Sequence, residues 1–462
     1  MPHPPRIDFP HALDHVARTR HVLRFTACLI GTLLLAPVSR GQDWPEFRGP
    51  YGNGHATAAE DARPAGLPLR WSETENVKWK TPIPFCGWST PVVMGGQIWL
   101  TTATEDGHDF FALCLDAENG RVRFNRKLFH ADTPEPLGNS VNGYASPSPV
   151  IERGRVYVNF GSYGTACLDT ASGKTIWARN DLPCRHYRGP GSSPILFEDL
   201  LILTMDGVDV QYLAAVDKNT GHTVWKTDRT TAWDDLNADG KPYSEGDFRK
   251  AFSTPLVLDV QGKPLLFSSG SKAAYGYDPR TGRECWKVYH GSHTSASRPV
   301  FARGLVMFVT GMGKPELWAV KPDGQGDVTK SHVVWKAGGK GVGKTASPVV
   351  AGELLFMVTD GGVVSCLEVA TGRELWKQRV GGHFVASPIY ADGRLYFCSE
   401  EGKVTVIKPG RTCEVLATNT LETGCMASPA VVGKSLFLRT KTHLYRIESD
   451  GPIPNSQPNS HG

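Results

Sequence analysis

Along most of the chain the apolar residues come in short runs closed by glycine, proline or a carboxylate. RVYVNF at 155–160, LLFMV at 354–358 and RLYFC at 394–398 are of this kind. Apolar runs this short, bounded by turn residues, predict strands. Ahead of them stands a second run, opened by a hydroxyl residue and proline. It reads STPVV at 89–93, SPSPV at 146–150, SSPIL at 192–196, STPLV at 253–257, SRPVF at 297–301, SPVV at 347–350, SPIY at 387–390 and SPAVV at 428–432. Proline at the first position of a strand removes no donor from the interior of a sheet.

A third pattern follows: an acidic residue, three more, Gly, three more, Trp. It occurs as DTASGKTIW at 169–177, DKNTGHTVW at 217–225, DPRTGRECW at 278–286 and EVATGRELW at 368–376. DAENGRVRF at 116–124 keeps the spacing with Phe124, KPGRTCEVL at 408–416 is a degraded copy, and the fifth unit carries an insertion before Trp335. Asp, Asn, Thr and Gly make a tight turn in which Gly supplies the positive φ, so the unit is a β-hairpin whose second arm carries the aromatic.

Each unit therefore holds four strands, and a repeat of about 40–60 residues with four strands is a propeller blade. Eight hydroxyl–proline strands precede only seven hairpin ends, and Val77–Lys80 supplies the missing outer strand ahead of the first blade. Pairing the N-terminal strand with the last blade removes a free sheet edge. The expected fold is all-β: an eight-bladed β-propeller of four-stranded antiparallel blades over residues 77–448, closed by an N-terminal strand.

The hairpin unit with its hydroxyl–proline strand resembles the PQQ-like β-propeller repeat, and the likeness covers nearly all of residues 77–448. WPEFRGPYGNG at 44–54 is similar to the opening of exported bacterial members. That family includes quinoprotein alcohol dehydrogenases and non-catalytic members such as the outer-membrane assembly protein BamB. The resemblance implies that Trp79, Trp177, Trp225, Trp286, Trp335 and Trp376 dock one blade on the next, with Phe124 and Leu416 docking their blades less tightly. It does not extend to the adjacent cysteine pair of the dehydrogenases, since no two cysteines adjoin. No PQQ is therefore expected, and the repeat, a packing motif, does not itself call for one.

Composition places the chain. Arg18, Arg20 and Arg24 precede the apolar run Phe25–Val38, followed by Ser39 and Gly41. This reads as a signal peptide over 1–41 and a periplasmic or otherwise extracytoplasmic destination. Residues 42–76 form an N-terminal extension and 449–462 a flexible tail. Without 1–41 the count is 45 Lys+Arg against 44 Asp+Glu, a net charge of +1, which argues against a nucleic-acid partner. Cys114, Cys167 and Cys366 each precede an acidic residue by two and read as small core residues.

Three consecutive inter-blade connections are long. Counted from outer-strand aromatic to the next proline, 124→149, 177→194 and 225→255 span 25, 17 and 30 residues, whereas the other five span 12 or 13. They should raise a rim over one sector of one face, where binding resides in scaffolded folds. Within it, Arg185, His186, Tyr187 and Arg188 form a cationic and aromatic cluster suited to an anionic group or an acidic partner loop. Asp235, Asn237 and Asp239 alternate before Gly240 as in a calcium loop. Gly246 stands where the bidentate glutamate belongs, with Glu245 beside it, so a plain surface turn is the competing reading. His293 and His383 precede inner strands and are placed to face the channel.

GGKGVGKT at 338–345 matches a phosphate-binding loop as a string. Such a loop needs a helix after it. Ala346-Ser347-Pro348 opens a blade instead, so an inter-blade turn is expected, with Lys340 and Lys344 adding charge to the open face and no nucleotide bound. No catalytic set emerges. The sequence points to an exported, monomeric, non-catalytic propeller binding a protein or cell-envelope component, with a quinoprotein dehydrogenase-like enzyme as the alternative.

Overall fold

The computed structural model describes residues 42–57, 65–138 and 140–449. The expected signal segment and all of the expected tail but Ser449 lie outside the described residues. Eight antiparallel sheets follow one another in chain order, seven of four strands and one of five. In blade 1 the order is Val92–Met94, Gln97–Ala103, Asp109–Asp116 and Val122–His130. The short first strands of blades 8, 1 and 2, and of blades 5, 6 and 7, touch one another around the axis. Blade 8 holds Ala430–Val432, Ser435–Arg439 and His443–Ile447, and Val77–Pro82 completes it in antiparallel pairing. The ring closes as the strand count required. One addition was not expected: Gly326–Asp327, within the blade 5 insertion, pairs in parallel with Glu284–Tyr289 of blade 4.

The hairpin motif has a double use. Across the ladder of blades 1–6 the aromatic faces a small residue: Cys114 opposes Phe124, Cys167 Trp177, Ala215 Trp225, Gly276 Trp286, Ala319 Trp335 and Cys366 Trp376, whereas Trp79 of the closing strand faces Arg446. The ring lies flat over its cross-strand partner; a Cβ on Gly276 would sit 2.4 Å from Trp286 Cε2. The repeated cysteines are thus spacers beneath aromatic rings. Each indole then reaches forward. Trp79 Nε1 donates to Ala117 O (3.2 Å), Trp177 to Lys218 O (3.0 Å), Trp225 to Pro279 O (3.1 Å) and Trp286 to Pro322 O (2.9 Å). Trp335 donates to Val369 O (2.9 Å) and Trp376 to Gly410 O (3.0 Å). Every acceptor is in or beside the hairpin turn of the following blade.

Leu416 has no indole to offer. The blade 7–8 junction shares its core with Leu67 and Trp71 of the extension. That segment is tied down by Asp392, whose carboxylate accepts the Ala65, Gly66 and Leu67 N–H groups, and by Asn419, which accepts from Trp71 N and donates to Leu69 O. Backbone that cannot join a sheet is satisfied here by side chains.

Candidate functional site: a blind cup on the propeller axis

The residue before each inner-strand proline points toward the axis. Seven of the eight are hydroxyl residues: Thr90, Ser148, Ser193, Thr254, Ser347, Ser387 and Ser428. They link the blades in sequence. Thr90 N donates to Ser148 Oγ (2.8 Å), Ser148 N to Ser193 Oγ (2.9 Å) and Ser193 N to Thr254 Oγ1 (3.0 Å). Beyond blade 5, Arg298 N donates to Ser347 Oγ, Ser347 N to Ser387 Oγ and Ser387 N to Ser428 Oγ, each at 2.9 Å. The hydroxyl–proline motif is therefore a girdle. Proline sets the strand start, and the hydroxyl before it, at six of the seven positions, takes the neighbouring blade's N–H.

Arg298 occupies the eighth position and breaks the pattern, because its guanidinium holds the N-terminal segment. It donates to Glu46 Oε1 (2.9 Å), to Phe47 O and to Pro255 O (3.2 Å). Arg48, 1% exposed, reaches Pro388 O (2.6 Å), Pro348 O (2.5 Å) and Asn53 O (2.7 Å). Backbone bonds join Trp44 to Val93, Pro45 O to Ile151 N, and Gly54 and Ala56 to Tyr390. WPEFRGPYGNG thus lies across the channel, bonded to five blades. Gly52 and Gly54 have positive φ, and a Cβ on them would stand 2.8 Å from Arg298 and 2.7 Å from Arg48. Glycine is required where two guanidinium groups press on the chain.

Above the plug lies a cavity of about 410 Å³ with Phe47 at its floor. The girdle hydroxyls form its lower wall. Its upper wall comes from all three long connections: Val141 and Asn142 from the first, Arg188 from the second, Asp247, Lys250 and Phe252 from the third. Asn142 Nδ2 stands 2.9–3.2 Å from the carbonyls of Arg188, Gly189 and Pro190 and ties the first connection to the second. Lys250 is 4% exposed, its ammonium against the Asp247 carboxylate and 2.9 Å from Asp247 O. Burial, and then the Arg188 charge, pushes Lys250 down to about 8, while contact with Asp247 opposes this. Arg188 stands 4.0 Å from Asp247 and 5.0 Å from the Tyr187 ring centre. His293 packs edge-on to Phe248 (4.6 Å), and burial, then Lys250 and Lys272, hold its imidazole below the ordinary range.

The four-residue cluster of the second connection is divided. His186 is 5% exposed; its Nε2 accepts the Ser162 N–H (3.1 Å), and burial pushes it to about 4, so it is a neutral core residue. Arg185 pairs with Glu135 (3.1 Å), whose carboxylate also accepts the Tyr187 N–H. Only Arg188 lines the cup. His186 is set apart from the other three because Gly161 and Cys184 enclose its imidazole. In the third connection Asp235 is clasped by Arg249 through two bonds (2.5 and 2.9 Å), Asn237 Oδ1 accepts from Asp239 N and Lys241 N, and Asp239 stays outside the cup. Among the described residues no group of three or more His, Cys, Asp or Glu is placed to share a metal ion. His383 lies outside the cup and pairs with Glu401 (2.9 Å). GGKGVGKT is a turn between Val333–Gly338 and Val349–Ala351, with Lys344 N donating to Asp360 Oδ1 (3.2 Å) and Thr345 reaching the cup.

The family model described as outer membrane protein assembly factor BamB matches residues 69–226 and 209–451. The chain belongs to this family. Among solved structures, BamB from Moraxella catarrhalis superposes with a TM-score of 0.55 at 10% identity, over 80% of this chain and 99% of that one. A europium-containing methanol dehydrogenase superposes at 0.63 and 10% identity, over 87% and 89%. Likeness at this identity is likeness of fold, and BamB and a methanol dehydrogenase share it alike. A curated relative, tetrathionate hydrolase of Acidithiobacillus ferrooxidans, is 25% identical over 300 residues. Those residues are 61% of this chain, and the chain spans about half, 52%, of that relative's length. The cup is built locally, from the plug below the girdle and the three connections above it. The sequence signalled the rim through connection lengths. The plug carried only its glycines and arginines as a signal.

Proposed function

We propose that the chain is an extracytoplasmic, non-catalytic binding propeller that receives part of a partner protein or envelope component in the axial cup. The observation supporting this is the cup itself. It is blind, closed below by a segment bonded to five blades, and walled above by each of the three long connections. Pockets of about 300–1,000 Å³ with a mostly apolar lining and a few convergent polar groups are binding sites as a class. The apolar run at 25–38 supports export, and the family description supports a protein partner. The reading leaves PQQ out. A quinone held with a metal needs several oxygen donors, and among the described residues the cup is lined by one carboxylate, Asp247, which is engaged by Lys250 with Arg188 nearby.

Filling the cup tests the reading. Ala296→Trp places an indole in the lining without touching the girdle bonds. Chemical crosslinking in envelope extract should capture a partner with the full chain and not with this variant, at equal melting temperature. Identical capture by both would overturn the reading, as would turnover of tetrathionate or of an alcohol by the purified chain.

A further inference from the structure

The cup is chemically two-sided. Val141, Phe252, Met312, Val385 and Met426, with Phe47 below, make an apolar body site. The charged side holds Arg188 and Lys250 against Asp247, an excess of one positive charge. The excess has an address. Lys250 is already bonded to Asp247, whereas the Arg188 guanidinium makes no hydrogen bond among the described residues; Asp247 is 4.0 Å away. A planar fork of five donors with no bond among the described residues is matched by a carboxylate, which accepts two of them at once. Two further donors in the lining lack partners among the described residues: Thr90 Oγ1, in a residue 1% exposed, and Trp88 Nε1. Buried polar atoms without partners cost stability unless a ligand meets them. One net charge suits a monoanion. A phosphate dianion would leave a buried charge uncompensated.

We infer that the cup is a receptor for a monocarboxylate on an apolar body, the carboxylate bidentate on Arg188 and the body against the Met312, Val385 and Met426 side. The inference rests on the binding reading above and supplies its chemistry. The same group is presented by a free organic acid and by the C-terminus of a protein ending in a large apolar residue.

Calorimetry with the full chain tests it. The probes are N-acetyl-L-phenylalanine and its amide, and the peptide Gly-Ser-Gly-Ser-Phe with free and amidated C-terminus. At least one acid should bind about tenfold or more tightly than its amide, the loss expected when a charged hydrogen-bonded pair becomes neutral. Arg188→Gln should remove that preference, and Lys250→Met should weaken binding. Arg188 is partly exposed, so its variant should melt like the wild type. Tight binding of the peptide acid alone identifies a polypeptide terminus; binding of the acetylated amino acid identifies a free acid. Acid and amide binding equally, or acid binding unchanged in Arg188→Gln, overturns the carboxylate assignment. If Ala296→Trp abolishes such binding, the cup stands as a site without it. No binding of any acid also overturns the assignment, while crosslinking with Ala296→Trp decides the wider reading independently.

Discussion

Trp335 donates its indole N–H to the carbonyl of Val369, 2.9 Å away in the next blade's hairpin, and so joins blade 5 to blade 6. The glycine of that hairpin, Gly372, lies against the same ring: a Cβ there would come within 2.4 Å of Trp335 Cε3, at a φ of +68°. The Gly and the Trp of the repeat are therefore partners, but across a blade boundary. Trp335→Ala should cost about 3–5 kcal/mol. Gly372→Ala should cost about 1–3 kcal/mol from overpacking and positive φ. Urea titration of each variant, read by tryptophan fluorescence and circular dichroism, checks both. Their double variant should lose less than the sum, because removing the ring relieves the clash.

The girdle makes a graded prediction. Ser387 Oγ accepts the Ser347 N–H and lies 3.1 Å from Ser347 Oγ, so Ser387→Ala orphans a buried donor and should cost about 1–3 kcal/mol. Thr90 Oγ1 has no partner among the described residues, so Thr90→Val should be close to neutral. Equal losses in thermal melts would contradict the assignment of the girdle bonds.

Arg48 should be a local lock. Its guanidinium is wholly buried without a facing carboxylate, and burial, then Arg298, pushes it down to about 9. Arg48→Met ends that costly burial yet frees the carbonyls of Pro348 and Pro388. Global stability should change little, while amide exchange over residues 49–56 should rise about tenfold or more, the equivalent of roughly 1.4 kcal/mol of local stability. Hydrogen exchange by mass spectrometry separates the two. Unchanged exchange in the segment would mean that its backbone bonds suffice.

Acid should weaken the fold through two histidines. Burial holds His186 and His290 at about 4, against 6.5 when unfolded. Between those values the unfolded chain binds more protons, so their contribution is complete above pH 6.5 and is lost as pH falls toward 4. The melting temperature should fall over that window, and His290→Gln should flatten part of the slope. An unaltered slope in the variant would exclude His290 as a source.

Much of this architecture was legible because it repeats. One turn glycine is ambiguous, but Gly173, Gly221, Gly282 and Gly372 at constant distance from the following Trp are a pattern, and period fixes fold in quasi-modular proteins. The cysteines read as core for the same reason, though their place beneath an aromatic ring needed the ladder register. The site was less legible. Arg185, His186, Tyr187 and Arg188 are neighbours in sequence, yet Tyr187 at a φ of +65° turns the chain so that His186 goes inward and Arg188 to the cup.

The sequence by itself determined the blade count, the closing strand and the sector of the raised rim. Each depends on local spacing, and spacing survives in one dimension. Only the tertiary structure decided that six of the seven hydroxyls before the prolines serve a neighbouring blade, that Arg48 and Arg298 bolt a plug across the axis, and that Arg188 comes within 4.0 Å of Asp247 from another connection. Those contacts join residues dozens to hundreds of positions apart. Closing the ring brings them together, and no local pattern records which distant backbone groups a side chain will satisfy.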